Sequence, residues 1–237
     1  SNMLLNNSPM RIQKFRQAIS YAIDRKKMML YLRNSIGTAA ESGFIPAGLP
    51  SYNAEIVVGY KYDPAKARQL LQESGYMDQL DQPPIKLITV PNYANLGSYI
   101  ASELKQSGIN IQVEAMQKSL LLEQTAKSQA LFFRGSWIAD YPDAENYLGV
   151  FYSKNPAPPN YTRFKNKDYD ALYERSLKEI NDSIRYEIYR QMDRIIVDHA
   201  PVIPLWYDMV LHLVHNNING FYPNSLNMLE LRRVRKE

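Results

Sequence analysis

The residues best able to hold a small molecule are crowded into one stretch: Arg134-Gly135-Ser136-Trp137-Ile138-Ala139-Asp140-Tyr141-Pro142-Asp143. The Asp140 carboxylate can accept hydrogen bonds from a ligand ammonium, and such a charge-assisted bond is stronger than a neutral one. The Arg134 guanidinium presents a planar fork of donors that matches a carboxylate in two parallel bonds. Trp137 offers a flat apolar wall with a free N–H, and Tyr141 a ring carrying a hydroxyl. The same residues have plainer uses. Asp140 can cap the turn at Pro142, Asp143 can cap a following helix, and Trp137 can belong to the core.

Catalytic arrangements are weak by comparison. The chain has no cysteine, which removes thiol catalysis, disulfides and cysteine metal sites from its repertoire. His212 and His215 sit on an alternating apolar segment that reads as a strand, so their odd spacing turns them to opposite faces and away from a shared metal. There is no Gly-rich phosphate loop, no G-x-S-x-G and no H-E-x-x-H. Asp140 and Asp143 are too close in sequence to be the paired carboxylates of a glycosidase, which come from separate elements. The expectation is a binding module with no catalytic residue, no metal and no cofactor.

Composition agrees. Hydrophobic residues at 45% and charged residues at 22% are those of an ordinary globular chain, not a disordered one. No apolar run approaches the roughly 18 residues that cross a bilayer. The net charge is only +4, and much of the excess lies at Arg232, Arg233, Arg235 and Lys236, a solvated basic tail and not a nucleic-acid stripe. Several of the 18 tyrosines adjoin Asn or Pro, among them Tyr52, Tyr93, Tyr161 and Tyr222, and phenols suit a wet, adaptable cleft. Most of them are expected to edge the core and surface.

The elements that position these residues follow from periodicity. Residues 11–33 have helical spacing, broken at Asp24, which is set to cap a second helix. Asp63-Pro64 starts a helix that Gly75 stops. Ile36 to Tyr60, rich in Gly and Pro, is a long ordered loop of the kind that is often functional. Beyond Pro83-Pro84, the pattern predicts a strand at Ile85–Val90, a helix at Tyr93–Gln106, a strand at Ile109–Met116, a helix at Ser119–Lys127 and a third strand at Ala130–Ile138. That alternation is the signature of crossovers in a parallel sheet. A short helix follows at Pro142–Tyr152. Two longer ones are expected at Asp168–Ile180 and Ser183–His199, with short strands at Val202–Tyr207, Leu211–Val214 and Met228–Leu231. In such sheets ligands bind beyond the carboxyl ends of the strands, which is where the Arg134–Asp143 stretch falls.

Several segments in order resemble the extracellular solute-binding proteins of family 5, the oligopeptide, dipeptide and nickel receptors. They are Arg16-Gln17-Ala18-Ile19-Ser20-Tyr21-Ala22-Ile23-Asp24-Arg25, then Tyr62-Asp63-Pro64-Ala65-Lys66-Ala67-Arg68-Gln69-Leu70-Leu71 with Gly75-Tyr76, then Trp137 to Asp143. Tyr169-Asp170-Ala171-Leu172, Arg185 with Tyr189, Ala200-Pro201-Val202-Ile203-Pro204-Leu205 and Gly220-Phe221 complete the set.

The resemblance implies an α/β fold: one lobe of a type II periplasmic binding protein, with a mixed, mostly parallel sheet and helices on both faces. It implies that Asp140 holds a peptide's α-amino group and that Arg134, three before the Trp, meets its carboxylate; Asp24 and Asp63 are structural. On this reading residues 1–3 look like the scar of a cleaved tag, since residues 4–10 form no signal peptide. Residues 4–82 form a helical and loop segment, 83–215 the ligand-binding core, and 216–237 a return segment towards a second lobe. The implied partners are a peptide or related small solute and the permease of an ABC importer, with no nucleic acid. The implied protein is a periplasmic or extracytoplasmic monomer, anchored through an upstream Cys if it is a lipoprotein. The alternative function is the ligand-sensing domain of a transcription regulator with the same fold; an enzyme is disfavoured by the absent motifs.

Overall fold

A computed structural model describes residues 8–78, 83–224 and 228–237. The expected tag scar at Ser1–Met3, and residues 4–7 after it, lie outside the described residues.

Helices form where caps and spacing dictate. Helix α1 (Gln13–Ala22) turns Phe15, Ala18, Ile19 and Ala22 inward. Asp24 caps α2 (Arg25–Leu32), its side chain accepting from the Lys27 N–H at 2.9 Å. Asp63 does the same for α3 (Pro64–Glu73), accepting from the Lys66 N–H at 2.8 Å with Pro64 at the first helical position. Both aspartates are structural, as expected.

The next unit is strand β2 (Ile85–Thr89), helix α4 (Ala94–Gln106), strand β3 (Ile111–Ala115) and helix α5 (Lys118–Ala126). β2 and β3 pair in parallel from Ile85↔Ile111 to Thr89↔Ala115. The expected third strand is reduced to a single parallel bridge between Ile88 and Phe133. Phe133 is gripped on both sides, by the Ile88 N–H on the Phe132 carbonyl and the Arg134 N–H on the Ile88 carbonyl. The chain then turns exposed at Gly135 and Ser136 and leaves the sheet edge, so the apolar run is too short to continue the ladder.

Beyond it lie the short helix α6 (Glu145–Leu148) and the longer α7 (Lys167–Ser176) and α8 (Asp182–His199). Strand β1 (Thr38–Ala39), in the loop after α2, pairs antiparallel with β4 (Trp206–Tyr207). The α/β class holds, with one longer parallel pair and two-residue antiparallel pairs around it. Only the end of the expected Val202–Tyr207 strand pairs. Leu211–Val214 and Met228–Leu231 form no strand: among the described residues neither enters a bridge, and Leu213 is 100% exposed. Instead β5 (Ile218–Asn219) pairs with β6 (Arg235–Lys236). Alternation supplies a strand tendency, but a strand needs a partner.

Two main cores result. One joins Phe15, Ile19, Ile23, Met28, Leu71, Leu104 and Ile109 from α1 to α4 and the parallel pair. The other joins Ile45, Leu148, Phe151, Tyr169, Ile188 and Met192 around α6 to α8. Polar pins fasten the segments around each core and, through Arg16, the two cores to each other. Arg16 donates to the carbonyls of His199 at 2.6 Å and Ala200 at 3.0 Å, satisfying the carboxyl end of α8. Arg25, 1% exposed, donates to Pro204 O at 2.7 Å, Ser20 O at 2.8 Å and Tyr60 O at 3.2 Å. Asp193, 2% exposed on α8, accepts from the N–H groups of Phe44 at 2.7 Å and Ile45 at 3.3 Å. Gly43 is required there, because a Cβ on it would lie 2.0 Å from Asp193 Oδ2.

Burial pushes the Asp193 carboxyl up to about 6, against the opposing pull of its two N–H donors. A folded value raised above the unfolded one contributes stability that is present below about pH 4 and lost as pH rises through about 6. The unfolding free energy of wild type minus that of Asp193→Asn is therefore expected to fall by on the order of 2–3 kcal/mol between pH 4 and pH 7. Urea unfolding across that range reads it; a difference that stays flat would show that Asp193 does not carry this titration.

Candidate functional site

The Arg134–Asp143 stretch leaves the sheet beside β2 and runs across to α6. Its four candidate residues fall into two groups. Trp137, Asp140 and Tyr141 are gathered by α6, whereas Arg134 turns towards β4.

Asn146 organises the first group. Its side-chain oxygen accepts from the Trp137 indole N–H at 2.9 Å and from the Asp140 N–H at 3.4 Å. Its amide donates to Asp140 Oδ2 at 3.5 Å. Trp137 is half-buried against the second core, with part of its ring left exposed. The Asp140 carboxylate is exposed, and its contact with Asn146 is long enough to leave most of its accepting capacity free. The sequence alone did not single out Asn146; an amide six residues past an Asp in a Trp-x-x-Asp motif has no signal until the loop is folded back.

Tyr141 is tied down. Its hydroxyl donates to Glu145, whose other oxygen accepts from Tyr173. Burial, followed by the neighbouring Glu145, raises the Tyr141 phenol above its ordinary value. Asp143 precedes the Ala144 N-cap of α6, accepts from the Glu145 N–H at 2.9 Å and pairs with Arg185 at 3.4 Å. Asp143 thus has the structural role, and Asp140 is the open carboxylate.

Arg134 lies flat on an aromatic floor. Its guanidinium carbon sits 3.6 Å from the centre of the Tyr93 ring and 5.7 Å from that of Trp206. Burial lowers its pKa against the opposing pull of Tyr93 and Asp208, and the Arg33 charge nearby adds a smaller push in the same direction as burial. It forms no ion pair among the described residues. A stacked guanidinium keeps its in-plane donors free for an oxyanion.

Among the described residues no group of three or more His, Asp or Glu is placed to hold a metal, and no helix is long and apolar enough to cross a membrane. Two surface hollows lie elsewhere, one along α7 lined by Ala171, Glu174 and Lys178, the other lined by Gln17, Tyr60 and Arg194. Neither includes Arg134, Trp137 or Asp140.

The family described as bacterial extracellular solute-binding proteins, family 5 Middle, matches residues 1–159. Heme-binding protein A of Haemophilus influenzae is 28% identical over 214 residues, covering 88% of this chain and 39% of its own length. Dipeptide-binding protein DppE of Bacillus subtilis is 22% identical over 236 residues, covering 96% of this chain and 43% of its own length. The chain thus spans less than half the length of these curated relatives. In shape it resembles the periplasmic binding protein DppA of Helicobacter pylori solved with the peptide STSA, with a TM-score of 0.83 at 22% identity, covering 98% of this chain and 45% of that one.

Asn146→Ala is expected to release the loop. The chain has two tryptophans, so its indole N–H signals are few and assignable. The Trp137 indole proton should exchange with solvent at least severalfold faster in the variant, and unfolding should become easier by about 1–2 kcal/mol. Hydrogen exchange followed by NMR checks this; an unchanged Trp137 signal would show that Asn146 does not hold the loop.

Proposed function

Because the chain belongs to the bacterial extracellular solute-binding proteins of family 5 and has the lobe fold of type II periplasmic binding proteins, we propose that it is the ligand-holding lobe of the binding component of an ABC-type importer, and that its cargo is a peptide. The family consists of binding proteins and not enzymes.

The observation that carries the reading is the open carboxylate of Asp140, fixed through Asn146 and Trp137 to the second core while remaining exposed. An exposed carboxylate on a rigid loop is pre-organised for an ammonium, and pre-organisation lowers the entropic cost of binding. Arg134, stacked on Tyr93 and without an ion-pair partner among the described residues, suits the opposite end of a zwitterion. Trp137 and Tyr141 line the path between them. Relatives named for dipeptides, and the fold neighbour solved with a peptide, support this cargo; the relative named for heme shows that the scaffold serves other solutes.

A second lobe is part of the proposal. The ribbon after β4 exposes Met209, Val210, Leu211, Leu213, Tyr222 and Leu229. Contiguous exposed apolar side chains mark a surface that other protein covers. On this reading the remaining length seen in the relatives closes over Asp140 and Arg134 from the other side, outside the cytoplasm, and a membrane permease receives the solute.

In a protein joining this chain to that remaining length, Asp140→Ala is expected to weaken trialanine binding about 10- to 100-fold. N-acetyl-trialanine, which lacks the ammonium, should bind weakly and equally to both. Calorimetry decides it: equal trialanine affinity in wild type and variant removes Asp140 as the amine anchor.

A further inference from the structure

The floor beneath Arg134 carries a second guanidinium. Arg33, the residue that ends α2, places its guanidinium carbon 5.0 Å from the centre of the Trp206 ring. Two cations therefore share one indole, and Trp206 in turn faces Tyr93 at 6.4 Å. The charges around this floor do not balance. Asp208 pairs with Arg33 at 2.8 Å, but its side chain is 66% exposed. An exposed pair of that kind is worth about 0–1 kcal/mol and is readily exchanged. Arg134 has no ion pair among the described residues, and the Nε of Arg33 is buried without a hydrogen-bond partner.

Other inward-turned arginines spend most of their donors on oxygens, although Arg25 Nη2 and Arg185 Nε are, like Arg33 Nε, buried without a hydrogen-bond partner. Arg16 and Arg25 each hold several main-chain carbonyls, and Arg190 holds Ser51 O and Glu187. The Arg33–Arg134 pair is different: its aromatic floor supports the flat faces and leaves in-plane donors open. Asp208, paired with Arg33, also attracts Arg134, so a single exposed carboxylate serves two like charges, and an oxyanion reaching both guanidinium groups takes over that role and fills more of their donors. The place is right for a ligand, since Arg134 follows the bridge at Phe133 and so lies level with Thr89, at the carboxyl end of β2.

We infer that Arg33 and Arg134, over Trp206 and Tyr93, form one two-guanidinium site for a carboxylate, so that Arg33 is a specificity-determining residue selecting solutes with a free carboxyl group. The inference rests on the reading of Arg134 given above and extends it to Arg33, Trp206 and Asp208. Asp208 is the occupant of the site in the absence of solute, and the incoming carboxylate displaces it from Arg33.

The test uses the 237-residue chain and acetate as the probe. The Nε–Hε signals of Arg33 and Arg134 are followed by NMR as acetate replaces chloride at constant ionic strength. Both signals should move along one saturating curve. Arg33→Gln should weaken the response of Arg134 about tenfold, and Asp208→Asn, which removes the competing carboxylate and leaves both arginines, should tighten it severalfold. Unmoved signals, or an Arg134 response with the same midpoint in all three proteins, would overturn the site. A second arm adds trialanine and trialaninamide to the protein that joins this chain to the remaining length of its relatives. Trialanine should act as acetate does and trialaninamide should leave both arginines unmoved. If acetate behaves as expected and neither peptide binds, the carboxylate site stands and the peptide reading falls.

Discussion

Arg25 is sealed from solvent, and its guanidinium is shared among carbonyls of separate segments: Ser20 at the end of α1, Tyr60 before α3 and Pro204 before β4. Burial lowers its pKa to about 10, so it still carries its charge at neutral pH. A charge that deep is tolerated because Nε and Nη1 are occupied by carbonyls, although Nη2 has no hydrogen-bond partner, and those buried carbonyls in turn need donors facing them. The pin therefore fixes three chain segments at once. Pro204 lies just before Trp206, and Trp206 is the floor for Arg33 and Arg134. The position of the proposed carboxylate site is thus set by a side chain that never meets a ligand.

The other half of the site depends on a different anchor. Asp193 ties α8 to the loop at Phe44 and Ile45, and the core around α8 seats Trp137. Asn146 then passes that rigidity on to Asp140. The two ends of the proposed solute accordingly face two different cores. Arg16, reaching from α1 to the end of α8, keeps those cores in register. This arrangement explains why the stretch from Arg134 to Asp143 is irregular: it has to cross from one core to the other, which a continued strand beside β2 would prevent.

Much of this was legible in the sequence. Caps are local, so Asp24 and Asp63 with Pro64 fixed the helix starts in advance. Periodicity placed α4, β2, β3 and α8 to within a few residues. The family was legible because Trp137-Ile138-Ala139-Asp140 stands in order with the flanking helix motifs. What failed was non-local. The Ala130–Ile138 and Leu211–Val214 strands had the right pattern, but the first leaves the β2 edge after one bridge and the second forms no bridge among the described residues. The separation of Arg134 from Asp140 could not be read from their spacing, because it depends on which core each faces. Asn146 and Arg33 carried no signal, since an amide or a guanidinium gains meaning only from what lies across the fold from it.

The central claim is that this chain holds the two charged ends of a peptide at two fixed anchors. A crystal structure with bound trialanine, of a protein joining this chain to the remaining length of its relatives, tests it most directly. The account predicts the ligand ammonium within hydrogen-bonding distance of Asp140, its carboxylate against Arg134 and Arg33 over Trp206, and Asp208 turned away. A peptide seated elsewhere, such as along α7 near Glu174 and Lys178, or bound with its ammonium away from Asp140, would contradict it.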